Sequence, residues 1–314
     1  MTQPPPAHDR GPGPHGLAST DRGRLVRAVA RSWELFAALV DTLDLDAPTR
    51  ARGLTARDVV VPLGAWPDNR PLADLLDDAR RGTGGVHDQG ALVDAVRAAH
   101  RHEPDDAVRA AVRRQGRELS GFLAGPDPDG LLEAPVASML GTLPLVTFLH
   151  AATYPLATSA LDLETAGATA PDELLENGVV GLADTVGALA ARQGLSAGLT
   201  AVTPSFSVRT AARDGAWTTE VVGHAAPGPD GTWGPAVLAS SRVLLDVAAG
   251  RADVPTALAR RDLTVHDVPG LLRLAPVVEQ VPGIPGRTAL VAAIRATQAA
   301  GAVWRLLPFG RRDG

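Results

Sequence analysis

At Gly194 the spacing of apolar residues changes, and that change limits the chain to one broad class of fold. Before it, Val26, Val29, Trp33, Phe36, Val40 and Leu43 recur at steps of three and four, which places them on one stripe of a long helix. A second helix is expected from Thr55, whose hydroxyl can cap the first turn, with Asp58 three residues later closing a capping box. Further helices are predicted over 90–101, 105–123, 134–161 and 172–193. The longest hydrophobic stretch, 132–163, is interrupted by Pro135, Pro144, His150 and Pro155 and is read as a buried, kinked helix. So many helices with short connections make a bundle.

After Gly194 the pattern turns towards strands. Residues 200–210 alternate in part, Asp214-Gly215 supplies a turn, and 217–222 follows as a second strand, so the two form a candidate hairpin. Asp230-Gly231 marks another turn before Trp233. Ser240 caps a short helix that Gly250 ends, and Leu263–His266 reads as a return strand. The expected fold class is α+β: a helical bundle over 21–195, then a smaller α+β domain over 196–280. Residues 1–20, with Pro4-Pro5-Pro6 and Gly11-Pro12-Gly13-Pro14, read as a disordered tail. A helical extension is expected over 281–314, with an amphipathic helix near 288–306.

Composition removes several chemistries. The chain has no cysteine, which excludes disulfides, thiolate metal ligands and a protein thiol nucleophile. It has no lysine either, so all 30 basic residues are arginine, and neither a phosphate-loop lysine nor a Schiff base is available. A net charge of −5 argues against nucleic acid as a partner. With neither an apolar signal region nor a convincing membrane span, a cytoplasmic protein is expected. Ser205 and Ser207 lack the strand-turn-helix setting of a hydrolase nucleophile. Gly82-Thr83-Gly84-Gly85 reads as a flexible connection, and Trp217, Trp233 and Trp304 as core anchors.

The segment Arg52-Gly53-Leu54-Thr55-Ala56-Arg57-Asp58-Val59-Val60-Val61-Pro62-Leu63 carries the strongest functional signal. It resembles a motif of the actinobacterial mycothiol-dependent maleylpyruvate isomerase-like family, a DinB-type metal-binding bundle. There the segment reads Gly-Trp-Thr-Val-Arg-Asp-Leu-Val-Ala-His-Leu. Gly53, Thr55, Arg57, Asp58, Val60 and Leu63 match it, whereas the metal-binding histidine falls on Pro62 and the tryptophan on Leu54. The later half is similar to the family's sterol-carrier-like domain in its layout of strands, then a helix ending in Gly250-Arg251, then a strand.

That resemblance implies zinc held by three ligands from two helices, and mycothiol bound to it as a thiolate. The other two family ligands come as Glu-x-x-x-His, a spacing that places both on one helix face. Here His150 keeps the histidine position while Val146 stands at the acidic one. One ligand of three remains, so the expectation from the residues is a site that holds no metal. His87, His100 and His102 are the other histidines of the bundle that could rebuild it. Arg109, Arg113 and Arg117 form an i, i+4, i+8 stripe able to grip an anion, although a solvated helix face is the plainer reading. Arg113, together with Arg57, is the candidate contact to an anionic cofactor. Two functions stay open: a mycothiol-dependent isomerase or transferase with an altered site, or a non-catalytic scaffold or binder of a small apolar ligand.

Overall fold

A computed structural model describes residues 15–82, 89–127, 130–138, 141–223 and 234–280. In chain order the helices and strands are α1 (Gly16–Thr20), α2 (Arg22–Asp41), α3 (Ala56–Val60), α4 (Pro71–Arg81), α5 (Gln89–His100), α6 (Asp105–Ala124), β1 (Pro135–Ser138), β2 (Gly141–Pro144), α7 (Leu145–Ala151), α8 (Thr153–Asp162), α9 (Asp172–Arg192), β3 (Ala197–Val202), β4 (Ser207–Arg213), β5 (Ala216–Val222), β6 (Ala236–Ala239), α10 (Ser241–Ala248), α11 (Val254–Arg260), β7 (Leu263–His266), α12 (Val268–Leu272) and α13 (Ala275–Gln280). The class is α+β: a helical bundle followed by a sheet. Asp230-Gly231, Trp233, Trp304, His87, the Thr83–Gly85 connection and the helix expected near 288–306 lie outside the described residues.

The bundle forms where the sequence periodicity places it. Val29, Trp33, Phe36 and Val40 of α2 are buried. The capping box at α3 is complete: the Thr55 amide donates to Asp58 Oδ2 at 3.0 Å, and the Asp58 amide to Thr55 Oγ1 at 3.3 Å. Burial pushes the Asp58 carboxyl up, yet the bonds it accepts from the Thr55 amide and the Thr55 hydroxyl, helped by Arg101 and Arg97, hold it below its ordinary value. The α-helix stops at Val60 and tightens into a 3-10 turn over Val61–Leu63 that contains Pro62. Proline has no N–H for the Asp58 carbonyl, and Arg97 Nε donates to that oxygen instead at 2.9 Å.

Three segments differ from expectation. The helix expected over 134–161 is instead a two-stranded hairpin, β1–β2, followed by α7 and α8. Pro135 and Pro144 face each other across the open end of that hairpin, where neither needs an N–H donor. Pro155 cannot donate to the Ala151 carbonyl, which accounts for the break between α7 and α8 at Ala152. The strand expected over 200–210 is two strands joined by a tight turn, closed by the Thr203 amide on the Phe206 carbonyl at 2.8 Å. Of the tail expected over 1–20, Gly16–Thr20 form α1, and Leu17 is buried.

Helix α9 joins the two halves. The sheet order is β5-β4-β3-β6-β7, with β3 and β6 parallel and the other pairs antiparallel. On the bundle side, a Cβ at Gly181 would lie 2.2 Å from Thr153 Oγ1 and 2.8 Å from the His150 carbonyl oxygen. On the sheet side, a Cβ at Gly187 would lie 2.1 Å from Thr210 Oγ1. Only glycine lets the backbones approach this closely. By length and composition α9 could cross a membrane, but 72% of its most apolar window is buried between bundle and sheet. Its apolarity is that of a helix covered on both sides.

Candidate functional site

The bundle and sheet meet at a buried carboxylate. Asp184, on α9, is fully enclosed and accepts four hydrogen bonds. His150 on α7 is paired to Oδ2 through Nδ1 at 2.8 Å. Oδ1 takes the Leu17 amide at 3.1 Å, Trp217 Nε1 at 2.9 Å and Thr219 Oγ1 at 2.7 Å. One side chain therefore ties α1, α7, α9 and β5 together. Gly16 makes room for it, since a Cβ there would fall 2.0 Å from Asp184 Oδ1 and 2.1 Å from Trp217 Nε1.

Electrostatics fix the protonation of this group. Burial pushes the Asp184 carboxyl up, but the bonds from His150, Thr219 and Trp217 outweigh it and hold it below the ordinary carboxylate value. An ionised Asp184 requires the proton to sit on Nδ1 of His150. The opposite nitrogen, Nε2, is buried and has no hydrogen-bond partner among the described residues. Thr147 Oγ1, one turn earlier on α7, is in the same condition.

The zinc site that the resemblance implies needs two further ligands beside His150. A carboxylate on one imidazole nitrogen, with the other nitrogen left unpartnered, is how a metal-binding histidine is oriented. The remaining donors do not fit. Val146, one turn before His150, is fully buried and purely apolar. Pro62 carries no donor atom. Among the described residues no group of three or more His, Asp or Glu side chains could hold a metal ion.

The other described histidines of the bundle lie apart from this pair. His100 stacks on Trp66, ring centroids 4.1 Å apart, and its Nε2 lies 3.0 Å from Asp68 Oδ1. His102 is exposed. Arg57 spends its guanidinium on Asp46, the Glu103 carbonyl and Asp105. Arg113 Nη1 donates to both oxygens of Asp41, at 2.9 and 3.1 Å, and so joins α6 to α2. Arg109 Nη2 donates to the Leu43 carbonyl at 2.8 Å, just beyond the end of α2. Of the stripe, Arg117 alone is exposed with no ion pair among the described residues. Ser205 bonds Glu176, and Ser207 is buried within the sheet.

Sequence reasoning found His150 and missed its partner. Asp184 is the single charged residue between Val179 and Ala191 of an apolar helix, and that isolation was the available signal. Nothing local in the sequence marks the Leu17 amide or Thr219 as its donors.

Fold and site together define an α+β protein with a helical bundle, a five-stranded sheet and a His–Asp pair buried at their junction. No family model matches the chain, and no curated protein matches it. Among solved structures it is similar to mycothiol-dependent maleylpyruvate isomerase, with TM-score 0.45 and 16% identity over 73% of this chain and 89% of that one. It is similar to a histidine-to-alanine mutant of that enzyme with TM-score 0.47, at the same identity and coverage.

Proposed function

We propose that this chain is a maleylpyruvate isomerase-family protein in which the place of the metal centre has become a structural junction. The family part rests on the Arg52–Leu63 segment, which keeps the capping frame of the motif. The loss of metal-assisted mycothiol chemistry rests on one observation above all. Asp184 spends both oxygens on four buried donors that hold separate elements together, and His150 is 0% exposed beside it. A thiolate cofactor needs an open coordination position that it can reach. On this reading the protein is a cytoplasmic scaffold or binder of small molecules, acting without nucleic acid or membrane.

The free Nε2 of His150 is the observation that favours the other reading, a rebuilt metal site serving an isomerase or transferase. Metal content decides between them. The full chain is loaded with zinc, dialysed and measured by elemental mass spectrometry. The expected result is no retained zinc. About one zinc per chain, lost in a folded His150→Ala variant, would overturn the proposal and send the work to mycothiol-dependent assays.

A further inference from the structure

Helix α10 meets the bundle through a seam of six charges. The bundle offers Arg50 in the loop before α3, Asp162 at the end of α8 and Glu164 just after it. Opposite them stand Arg242 and Asp246 on α10 and Arg251 beyond it. Each side carries both signs, and the pairs cross the seam. Arg50 Nη1 and Nη2 donate to the two oxygens of Asp246, the first at 3.1 Å. Arg242 donates to both oxygens of Glu164, from Nη2 at 2.8 Å. Arg251 Nη2 donates to Asp162 Oδ2 at 2.6 Å, and its Nη1 to the Thr158 carbonyl at 3.2 Å. The other face of α10, with Leu244, Val247 and Ala248, walls an aliphatic cavity of about 270 Å³ between α9 and the sheet. The seam therefore decides how firmly one wall of that cavity is held.

Asp162 differs from the other two carboxylates. Its side chain is 6% exposed, against 17% for Asp246 and 26% for Glu164. Its Oδ1 is buried with no hydrogen-bond partner among the described residues, because Arg50 Nε stops 3.8 Å away. The terminal nitrogens of Arg50 are spent on Asp246, whose own charge faces Asp162. Burial pushes the Asp162 carboxyl above its ordinary value; Arg251 and Arg50 pull it back only in part, and Asp246 adds to the rise. Glu164 runs the other way, held below its ordinary value by the Arg242 bonds. Burial pushes Tyr154, which feels Arg251 and Asp246, up to about 12, so it stays neutral throughout. A falling pH therefore reaches Asp162 first and leaves the Arg242–Glu164 pair intact. Arg50 and Arg251 are about a third exposed, so water solvates the positive charge then left unmatched.

We propose that this seam is a proton-operated latch: one proton on Asp162 tightens the bundle's hold on α10, and its loss loosens it. When α10 lifts away, Asp162 meets water and returns to its ordinary value. The closed seam thus binds the proton more tightly than the open one. Closing gains as pH falls from neutrality towards 4.5, the ordinary value of Glu164. Further down, Glu164 is protonated in turn, its pair with Arg242 is lost and the gain reverses. A seam that drew on its ion pairs alone would weaken steadily with acid. The latch is independent of the metal question and holds whether or not the chain retains zinc.

Hydrogen exchange of the full chain at about pH 7.5 and about pH 5.5, corrected for the intrinsic rate, tests it. Protection of the α10 amides should rise by roughly three- to tenfold at the lower pH, while that of the α6 amides, remote from the seam, stays level. Asp162→Asn is neutral and keeps an oxygen for Arg251. Its α10 protection should already stand at the acid level at about pH 7.5 and change little with pH. Carbon-13 titration of the Asp162 carboxyl in the native chain is a second measurement, which needs no variant to fold. Its midpoint should lie above the ordinary 3.8. A midpoint at or below 3.8 would overturn the latch. So would α10 protection that is unchanged or lower at about pH 5.5, an equal rise at α6, or native pH dependence kept by a folded Asp162→Asn variant.

Discussion

Replacing Asp184 by alanine tests the junction most directly. The variant takes their acceptor from four buried donors: the Leu17 amide, His150 Nδ1, Trp217 Nε1 and the Thr219 hydroxyl. Each orphaned group costs about 1–3 kcal/mol. The low end applies here, because the variant is also relieved of burying a charge. The sum is about 4 kcal/mol, a large part of the roughly 5–15 kcal/mol that holds a native protein. At about 2–4 °C per kcal/mol for a chain of this size class, the melting temperature should fall by roughly 10 °C. Urea unfolding followed by tryptophan fluorescence measures the free energy, and hydrogen exchange at the Leu17 amide reports the release of α1. A loss below about 1 kcal/mol, with Leu17 still protected, would refute the argument.

Other consequences follow from the same geometry. Asp184 binds its proton less tightly folded than unfolded, so its contribution is whole above the ordinary value of 3.8 and drains away as pH falls through the lower folded value. Between pH 6 and pH 2 the native chain should therefore lose more unfolding free energy than Asp184→Asn loses over the same range. Gly181→Ala should destabilise by more than about 2 kcal/mol, since its Cβ would lie 2.2 Å from Thr153 Oγ1. Gly121→Ala on α6, where a Cβ meets nothing within 4 Å, should stabilise by about 0.5–1 kcal/mol, and paired thermal melts compare the two. Thr55→Ala removes the side-chain half of the α3 capping box, leaving the Asp58 amide without its acceptor, and should cost about 1 kcal/mol in urea unfolding.

The sequence by itself determined the α+β class, because periodicity and caps are local properties. The α2 stripe, the Thr55–Asp58 box, the Ser240 cap and the turn at Asp214-Gly215 can all be read within a few residues. Pro62 also acts locally: without its N–H the α3 helix ends at Val60, as the residue type requires. Apolar runs were less legible. The stretch over 134–161 has the composition of a buried helix, and only pairing of β1 with β2 turned its first part into a hairpin. The tertiary structure alone decided the junction. His150, 34 positions from Asp184, and Leu17, 167 positions away, become neighbours because glycines at 16, 181 and 187 let α1, α7 and the sheet close on α9. The aliphatic cavity is decided in the same way, since its walls come from α8 through α13 and no single segment encodes them. A carboxylate in an apolar helix is an unpaired charge on the page of the sequence; the donors that make it tolerable belong to elements distant in the chain, and only packing brings them within hydrogen-bond reach.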